Sequence, residues 1–399
     1  MKYTSRKLTV FSHIAQVLLA LVALQFPIIG YCDSGNGWIK NLFESKGKNM
    51  KAVAVKVAEL PEHFKMNVSG LDFSPDGKHL AVVSGDEKIN IWDWQSGHIV
   101  RTVEKMQGVN DGSATEPIRY SPDGRWFVSC SGTVTRIWNT ETWAVIHDIV
   151  DLKYRGCNAI GFTPDGKSLV QVIGMMGSGN NLTVYDTTSW QPVWSLRTIP
   201  FYPAALSISP DGRLVAIGGG VLNPIRWPQN GQPMTPRPVF GDPPFADQSL
   251  IAIVDLEHRR IVRTIQNTVE FDNSGHLAWS PDGAHITAIG RRGWDGSKGV
   301  YTSGLDTTMV FDAQTGSQIA GEQLDGIAHA SLRYTPDGKY LIEGDMDALG
   351  NGLGVRIWDG QHRELLQKIS GNVGGLAVSR DGHYFAMGID EKTIVWQLK

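Results

Sequence analysis

The sequence predicts an all-β chain of seven four-stranded repeats, and three observations carry that expectation. Ser74-Pro75-Asp76-Gly77 returns in near-copies at residues 121–124, 163–166, 209–212, 280–283, 335–338 and, with Arg380 in place of the proline, 379–382. Each copy is flanked by short apolar runs of strand length, such as Leu71-Asp72-Phe73 before the first and His79-Leu80-Ala81-Val82-Val83 after it. A third run then ends in an aromatic or aliphatic residue followed by a polar one, as in Ile91-Trp92-Asp93, Val184-Tyr185-Asp186 and Ile357-Trp358-Asp359, and a fourth follows it. Four strands per unit and seven units predict a seven-bladed β-propeller.

The turn string has a mechanism. Proline presets φ for the second position of a type I turn, aspartate accepts from its own backbone, and glycine takes the positive φ that closes a hairpin.

Taken in order, the chain begins with a segment unlike the rest. Lys2, Arg6 and Lys7 form a basic head, residues 17–24 are uninterrupted apolar, and Pro27, Gly30 and Cys32 supply a break and small residues before a cut. Residues 1–32 thus read as an export signal, which places the propeller in the periplasm or outside the cell. The alternative is an uncleaved N-terminal anchor with the propeller outside the cytoplasm, since residues 14–30 come close to the ~20 residues of a span but include Gln16, Gln25 and Pro27. Membrane contact is expected only through that segment. Without Lys2, Arg6 and Lys7 the 37 basic residues become 34 against 40 acidic ones, a balance that excludes a nucleic-acid partner. Residues 33–50 read as a linker, and residues 51–399 as the propeller.

Residues 52–57, Ala-Val-Ala-Val-Lys-Val, form a strand with no hairpin partner nearby. The last repeat ends one strand short, so this orphan is predicted to complete it. Closure of that kind leaves no open edge between the first and last blades.

Successive turns begin 47, 42, 46, 71, 55 and 44 residues apart, and two of these intervals exceed the ~40 to 45 of such a repeat. The surplus lies between second and third strands: residues 219–248 in repeat four, with seven prolines, and residues 290–305 in repeat five. Strand order puts both on one end of the ring, opposite the aspartate turns.

The Trp-Asp endings with a following turn, as in Trp92-Asp93-Trp94-Gln95-Ser96-Gly97 and Phe311-Asp312-Ala313-Gln314-Thr315-Gly316, resemble the WD-repeat β-propeller family, here of a bacterial exported type. The resemblance covers nearly all of residues 51–399 and implies fold far more than function. The Gly-His pair that opens such a repeat is missing from its place in every repeat, and the tight-turn aspartate occurs only as Asp86 and Asp390. The buried His-Asp network of that family is therefore expected to be absent, with the blades held mainly by apolar packing.

No CxxC, HExxH, GxSxG or phosphate-loop motif is present, and no cofactor or metal is implied. Asp345-Met346-Asp347-Ala348-Leu349-Gly350 begins like a calcium loop, but Leu349 and Arg356 stand where ligands are required. Trp92, Trp138, Trp358 and Trp396 share one repeat position and read as core. Cys130 and Cys157 fall near one end of adjacent blades. In an oxidising compartment they either pair, if their Cα atoms come within roughly 7 Å, or remain two buried thiols.

Two functions stay open. As an interaction module, the propeller would hold a protein or envelope component on Phe201, Tyr202, Arg226, Trp227, Arg291, Arg292 and Trp294, because aromatic and arginine side chains supply most interface energy. As an enzyme or small-ligand binder, it would use the same insertions as lids over the central channel.

Overall fold

In the computed structural model the described residues are 52–399, apart from 62–67, 69, 84–87, 105–117, 132, 151–156, 174–181, 197–200, 222–248, 267–275, 292–293, 296–299, 302–305, 324–327, 347–351, 362–363 and 372. The expected export signal and linker lie outside them. All regular secondary structure among the described residues is strand.

After β1 (Ala54–Glu59) the chain winds blade by blade, each an antiparallel sheet whose strands run from the channel outward. Blade 1 is β2 (Gly70–Phe73), β3 (His79–Val83), β4 (Lys88–Asp93) and β5 (His98–Glu104). Blade 2 is β6 (Ile118–Tyr120), β7 (Trp126–Ser131), β8 (Val134–Asn139) and β9 (Val145–Val150). Blade 3 is β10 (Cys157–Phe162), β11 (Ser168–Ile173), β12 (Leu182–Asp186) and β13 (Pro192–Leu196). Blade 4 is β14 (Phe201–Ile208), β15 (Leu214–Val221), β16 (Ser249–Asp255) and β17 (Arg260–Gln266).

Blade 5 is β18 (His276–Trp279), β19 (His285–Arg291), β22 (Asp306–Asp312) and β23 (Gln318–Gln323), with a small hairpin of β20 (Trp294–Asp295) and β21 (Val300–Tyr301) set into its insertion. Blade 6 is β24 (Ala328–Tyr334), β25 (Tyr340–Met346), β26 (Gly352–Asp359) and β27 (Leu365–Ile369). Blade 7 is β28 (Val373–Val378), β29 (Tyr384–Ile389) and β30 (Lys392–Leu398), and β1 is its fourth strand. First strands of neighbouring blades touch around the whole ring, β28 meeting β2.

Burial follows from position in this ring. The second and third strands are covered on both faces by neighbouring blades, so β3, β11 and β29 carry nearly continuous apolar runs that are buried after the first residue. Outermost strands such as β9, β13 and β17 are half wet, and their residues are mostly exposed or intermediate. The apolar clusters lie between blades, for example Phe385, Met387 and Trp396 of blade 7 against Ile342, Val355 and Ile357 of blade 6. Trp92, Trp138, Trp358 and Trp396 are all buried at these interfaces.

The seven turns are near-identical. In the first, Gly77 N donates to Ser74 O at 2.8 Å, and the Ser74 hydroxyl donates to Asp76 Oδ1 at 2.6 Å. Asp76 Oδ1 also accepts from Lys78 N at 3.1 Å, and Ser74 Oγ accepts from His79 N at 2.9 Å. The closing glycines all sit at φ between 71 and 74°, a left-handed conformation that costs a residue with a Cβ. Arg380 leaves this scheme intact, since Ser379 Oγ still donates to Asp381 Oδ1 at 2.6 Å.

Apolar packing is not the only cement. Every interface between blades carries at least one hydrogen bond. Tyr120 N donates to Asp72 Oδ2 at 2.7 Å, Gln171 Nε2 to Thr135 Oγ1 at 3.0 Å, and Asn158 Nδ2 to Pro203 O at 2.7 Å. Trp279 N donates to Ser207 Oγ at 2.9 Å, and Thr308 Oγ1 to Glu343 Oε1 at 3.0 Å. Ser331 Oγ reaches Gly374 O at 3.4 Å, and Gly375 N closes the ring on Val68 O at 2.8 Å. Buried polar groups are costly unless paired, so each bond also fixes the register of one blade on the next.

Closure follows the predicted scheme in register, with Ala54 opposite Leu398 and Glu59 opposite Ile394. Gln367 of blade 6 clamps the junction. Its Oε1 accepts from Val53 N at 2.7 Å and Ala54 N at 2.8 Å, while its Nε2 donates to Ala54 O at 3.2 Å.

Candidate functional site

Antiparallel first and second strands place the Ser/Thr-Pro-Asp-Gly turns at one end of the ring and the second-to-third-strand connections at the other. Of the residues named from the sequence, the described ones belong to strands that reach the latter end. Phe201 and Tyr202 begin β14 and pair with Val221 and Gly220, next to the insertion of blade 4. On adjacent blade 5, Arg291 ends β19 opposite Asp306, and Trp294 pairs with Tyr301 in the small hairpin. Arg226, Trp227 and Arg292 lie outside the described residues. β15 runs to Val221, so the surplus of blade 4 starts three residues later than the spacing indicates. Asp345 and Met346 of the calcium-like string belong to β25, paired with Gly354 and Gly352, and its other four residues lie outside the described set.

Cys130 of β7 and Cys157 of β10 are joined by a disulfide between blades 2 and 3, with Cα atoms 5.9 Å apart.

The other end of the ring holds a site that no catalytic motif marks. First strands line the channel, and the residue two positions before each turn's Ser or Thr is, from blade 1 to blade 7, Asp72, Arg119, Gly161, Ser207, Ala278, Arg333 and Ala377. Six of these seven line a cavity of about 450 Å³, whose rim is formed by the turn residues Pro75, Pro122, Pro281 and Arg380. The small side chains of this layer leave room for the two guanidiniums. Each arginine is held alike: Arg119 Nη1 donates to Ile118 O and Arg333 Nη1 to Leu332 O, both at 2.8 Å. Arg380 Nη1 donates across the rim to Pro122 O, two blades away.

Charge in this layer is strongly coupled to its surroundings. Asp72, Arg119 and Arg333 keep some accessible area, but it opens only into the channel, so the protein wall dominates their ionisation. Burial pushes the Asp72 carboxyl up from its ordinary value, against the pull of Arg119, the Tyr120 amide and Arg333. Burial lowers Arg119 to about 9, with the like charge of Arg333 adding to the drop and Asp72 opposing it. Arg333 falls to about 10, again through burial. Both arginines stay protonated at neutral pH, so among the described residues the cavity brings together two guanidiniums and one carboxyl group, with a third guanidinium on its rim. The tyrosines beside them, Tyr120 half-buried and Tyr334 buried, are neutral; the surrounding protein raises Tyr120, and burial raises Tyr334 to about 12. A signal for this layer did exist in the sequence. Aligning the repeats on their turns and reading two positions upstream gives one aspartate and two arginines where the other blades have small residues.

Among the described residues no three His, Cys, Asp or Glu side chains come together as a metal site.

The fold and its repeats define a class, a seven-bladed β-propeller. The family model described as WD domain, G-beta repeat matches residues 54–93 and 116–139, in β1 and blades 1 and 2. The chain is similar to SEC12-like protein 2 of Arabidopsis thaliana, 25% identical over 150 residues, covering 37% of each chain. It is similar to anaphase-promoting complex subunit cdh1 of Dictyostelium discoideum, 24% identical over 46% of this chain and 29% of that one. Transducin beta-like protein 2 of Homo sapiens is 21% identical over 345 residues, which is 80% of this chain and 67% of that one. The matches to the first two span about a third of those relatives' own length.

Proposed function

We propose that the chain is an exported binding platform that holds a protein partner in the cell envelope on the insertion-bearing end of blades 4 and 5. One observation carries this reading. Blades 4 and 5 are neighbours, since β14 and β15 touch β18, and β15 and β19 both run toward the end of the ring at which their insertions leave the sheets. Arginine and tryptophan supply a large share of binding energy at interfaces, and a proline-rich loop loses less entropy on docking. That WD-type relatives include a protein named as a subunit of the anaphase-promoting complex supports a partner-holding role. The disulfide between blades 2 and 3 supports export, because such bonds persist in oxidising compartments.

The test is a double change of Trp227 and Trp294 to alanine, with circular dichroism to monitor the fold and calorimetry against the partner recovered from the envelope fraction. Binding should weaken by at least about 2 kcal/mol. Unchanged affinity in a folded double variant rejects the site.

A further inference from the structure

We propose a second site at the opposite end of the ring: the channel cavity between the aspartate turns binds a small anionic ligand bearing a carboxylate or phosphate, held by Arg119 and Arg333, with Arg380 as a third cation that bars the entrance. This goes beyond the platform reading and does not depend on it.

Four observations point the same way. The cavity, at about 450 Å³, falls within the range of small-molecule sites, roughly 300 to 1,000 Å³. Its wall brings two guanidiniums and one carboxylate together from three different blades, in a layer where the remaining blades supply Gly161, Ser207, Ala278 and Ala377. Burial depresses both arginines, and the charge of Arg333 depresses Arg119 further, so a negative group placed between the two guanidiniums is attracted by both. Guanidinium forks suit carboxylate and phosphate, which accept two parallel N–H donors.

Arg380 adds a mechanism of entry. Six of the seven turns carry proline at this position, and only the seventh carries a side chain long enough to reach a carbonyl of blade 2. The hydrogen bond to Pro122 O lies on the rim, and Arg380 itself is exposed. A ligand entering from this end meets that guanidinium first and can exchange a neutral carbonyl partner for its own negative charge.

The experiment is calorimetry on the full-length chain with inorganic phosphate and, separately, citrate, which distinguishes a phosphate site from a carboxylate site. At least one probe should bind. Asp72→Asn keeps an oxygen acceptor for the Tyr120 amide but removes the charge, and should tighten binding about tenfold or more, as expected for one charge a few ångström away at moderate effective dielectric. Arg333→Gln should abolish binding. Arg380→Pro restores the residue that six other turns accommodate, so it folds whatever becomes of Arg333→Gln, and should weaken binding about tenfold. Absence of heat with both probes up to about 10 mM overturns the proposal, as does weaker anion binding in Asp72→Asn, which would show that the carboxyl does not compete with the ligand for the arginines.

Discussion

Arg380 donates a hydrogen bond to the carbonyl oxygen of Pro122, spanning the mouth of the channel from blade 7 to blade 2. Its place in the ring explains the reach. In each other junction the closing glycine of one turn faces the proline of the preceding blade. A Cβ on Gly124, Gly166, Gly212, Gly283, Gly338 or Gly382 would lie 3.1 to 3.9 Å from that proline's Cδ. Gly77 has nothing within 4 Å, because the preceding turn carries Arg380 where proline is due.

This contrast predicts unequal costs for the same substitution. Gly77→Ala and Gly212→Ala both put a Cβ at φ of +71°, a cost of about 1 to 2 kcal/mol. At Gly212 the new methyl also meets Pro164 Cδ at 3.1 Å. Denaturant titration should find Gly212→Ala less stable than Gly77→Ala by about 1 kcal/mol, and equal midpoints would mean that the proline contact has no stiffness.

Closure depends on one glutamine. Gln367→Ala leaves the Val53 and Ala54 amides without their acceptor and should cost about 1 to 3 kcal/mol. Amide exchange at these two residues should accelerate more than at β29. Deleting residues 51–60 is the stronger form, since it bares the edge of β30 and should give an aggregation-prone or unfolded chain. A truncated chain that melts like the parent would show that β1 is dispensable.

Acid should act through the turns. In Asp165, Asp211 and Asp282 the hydrogen bond from the turn's own hydroxyl holds the carboxyl below its ordinary value, and the same direction holds for Asp76, Asp123, Asp337 and Asp381. A carboxyl lowered in the folded state contributes stability above its unfolded value of 3.8 that is lost as pH falls through the folded values. Asp72 is raised by burial and works the other way, relieving a cost as it protonates. The thermal midpoint should hold down to about pH 4 and fall steeply below it. A midpoint that declines steadily from neutrality would assign acid sensitivity to other groups.

Alkylation without reductant should modify neither Cys130 nor Cys157 and, after reduction, should modify both. Loss of the bond should cost about 2 to 4 kcal/mol. Two alkylated cysteines before reduction would show separate thiols.

The turns, the strands and the seven-fold count were legible from residue to residue, because each rests on local chemistry. A Ser or Thr hydroxyl, an Asp carboxylate and a Gly with positive φ close a hairpin within six residues of chain. Closure of the ring was legible too, since a strand missing at one end and spare at the other is a matter of counting. The polar bonds between blades were not. Asp72 and Tyr120 are 48 positions apart, Asn158 and Pro203 are 45, and nothing in either neighbourhood marks them as partners.

The channel layer shows the division most sharply. Asp72, Arg119 and Arg333 stand at one repeat position, which the sequence displays, but whether that position faces solvent, a neighbouring blade or the axis depends on how the blades tilt and pack. Only the closed ring turns three charges, scattered over 261 positions of chain from 72 to 333, toward one cavity. Local hydrogen bonds are written in neighbouring residues, whereas the convergence of charges on an axis is a property of the ring as a whole.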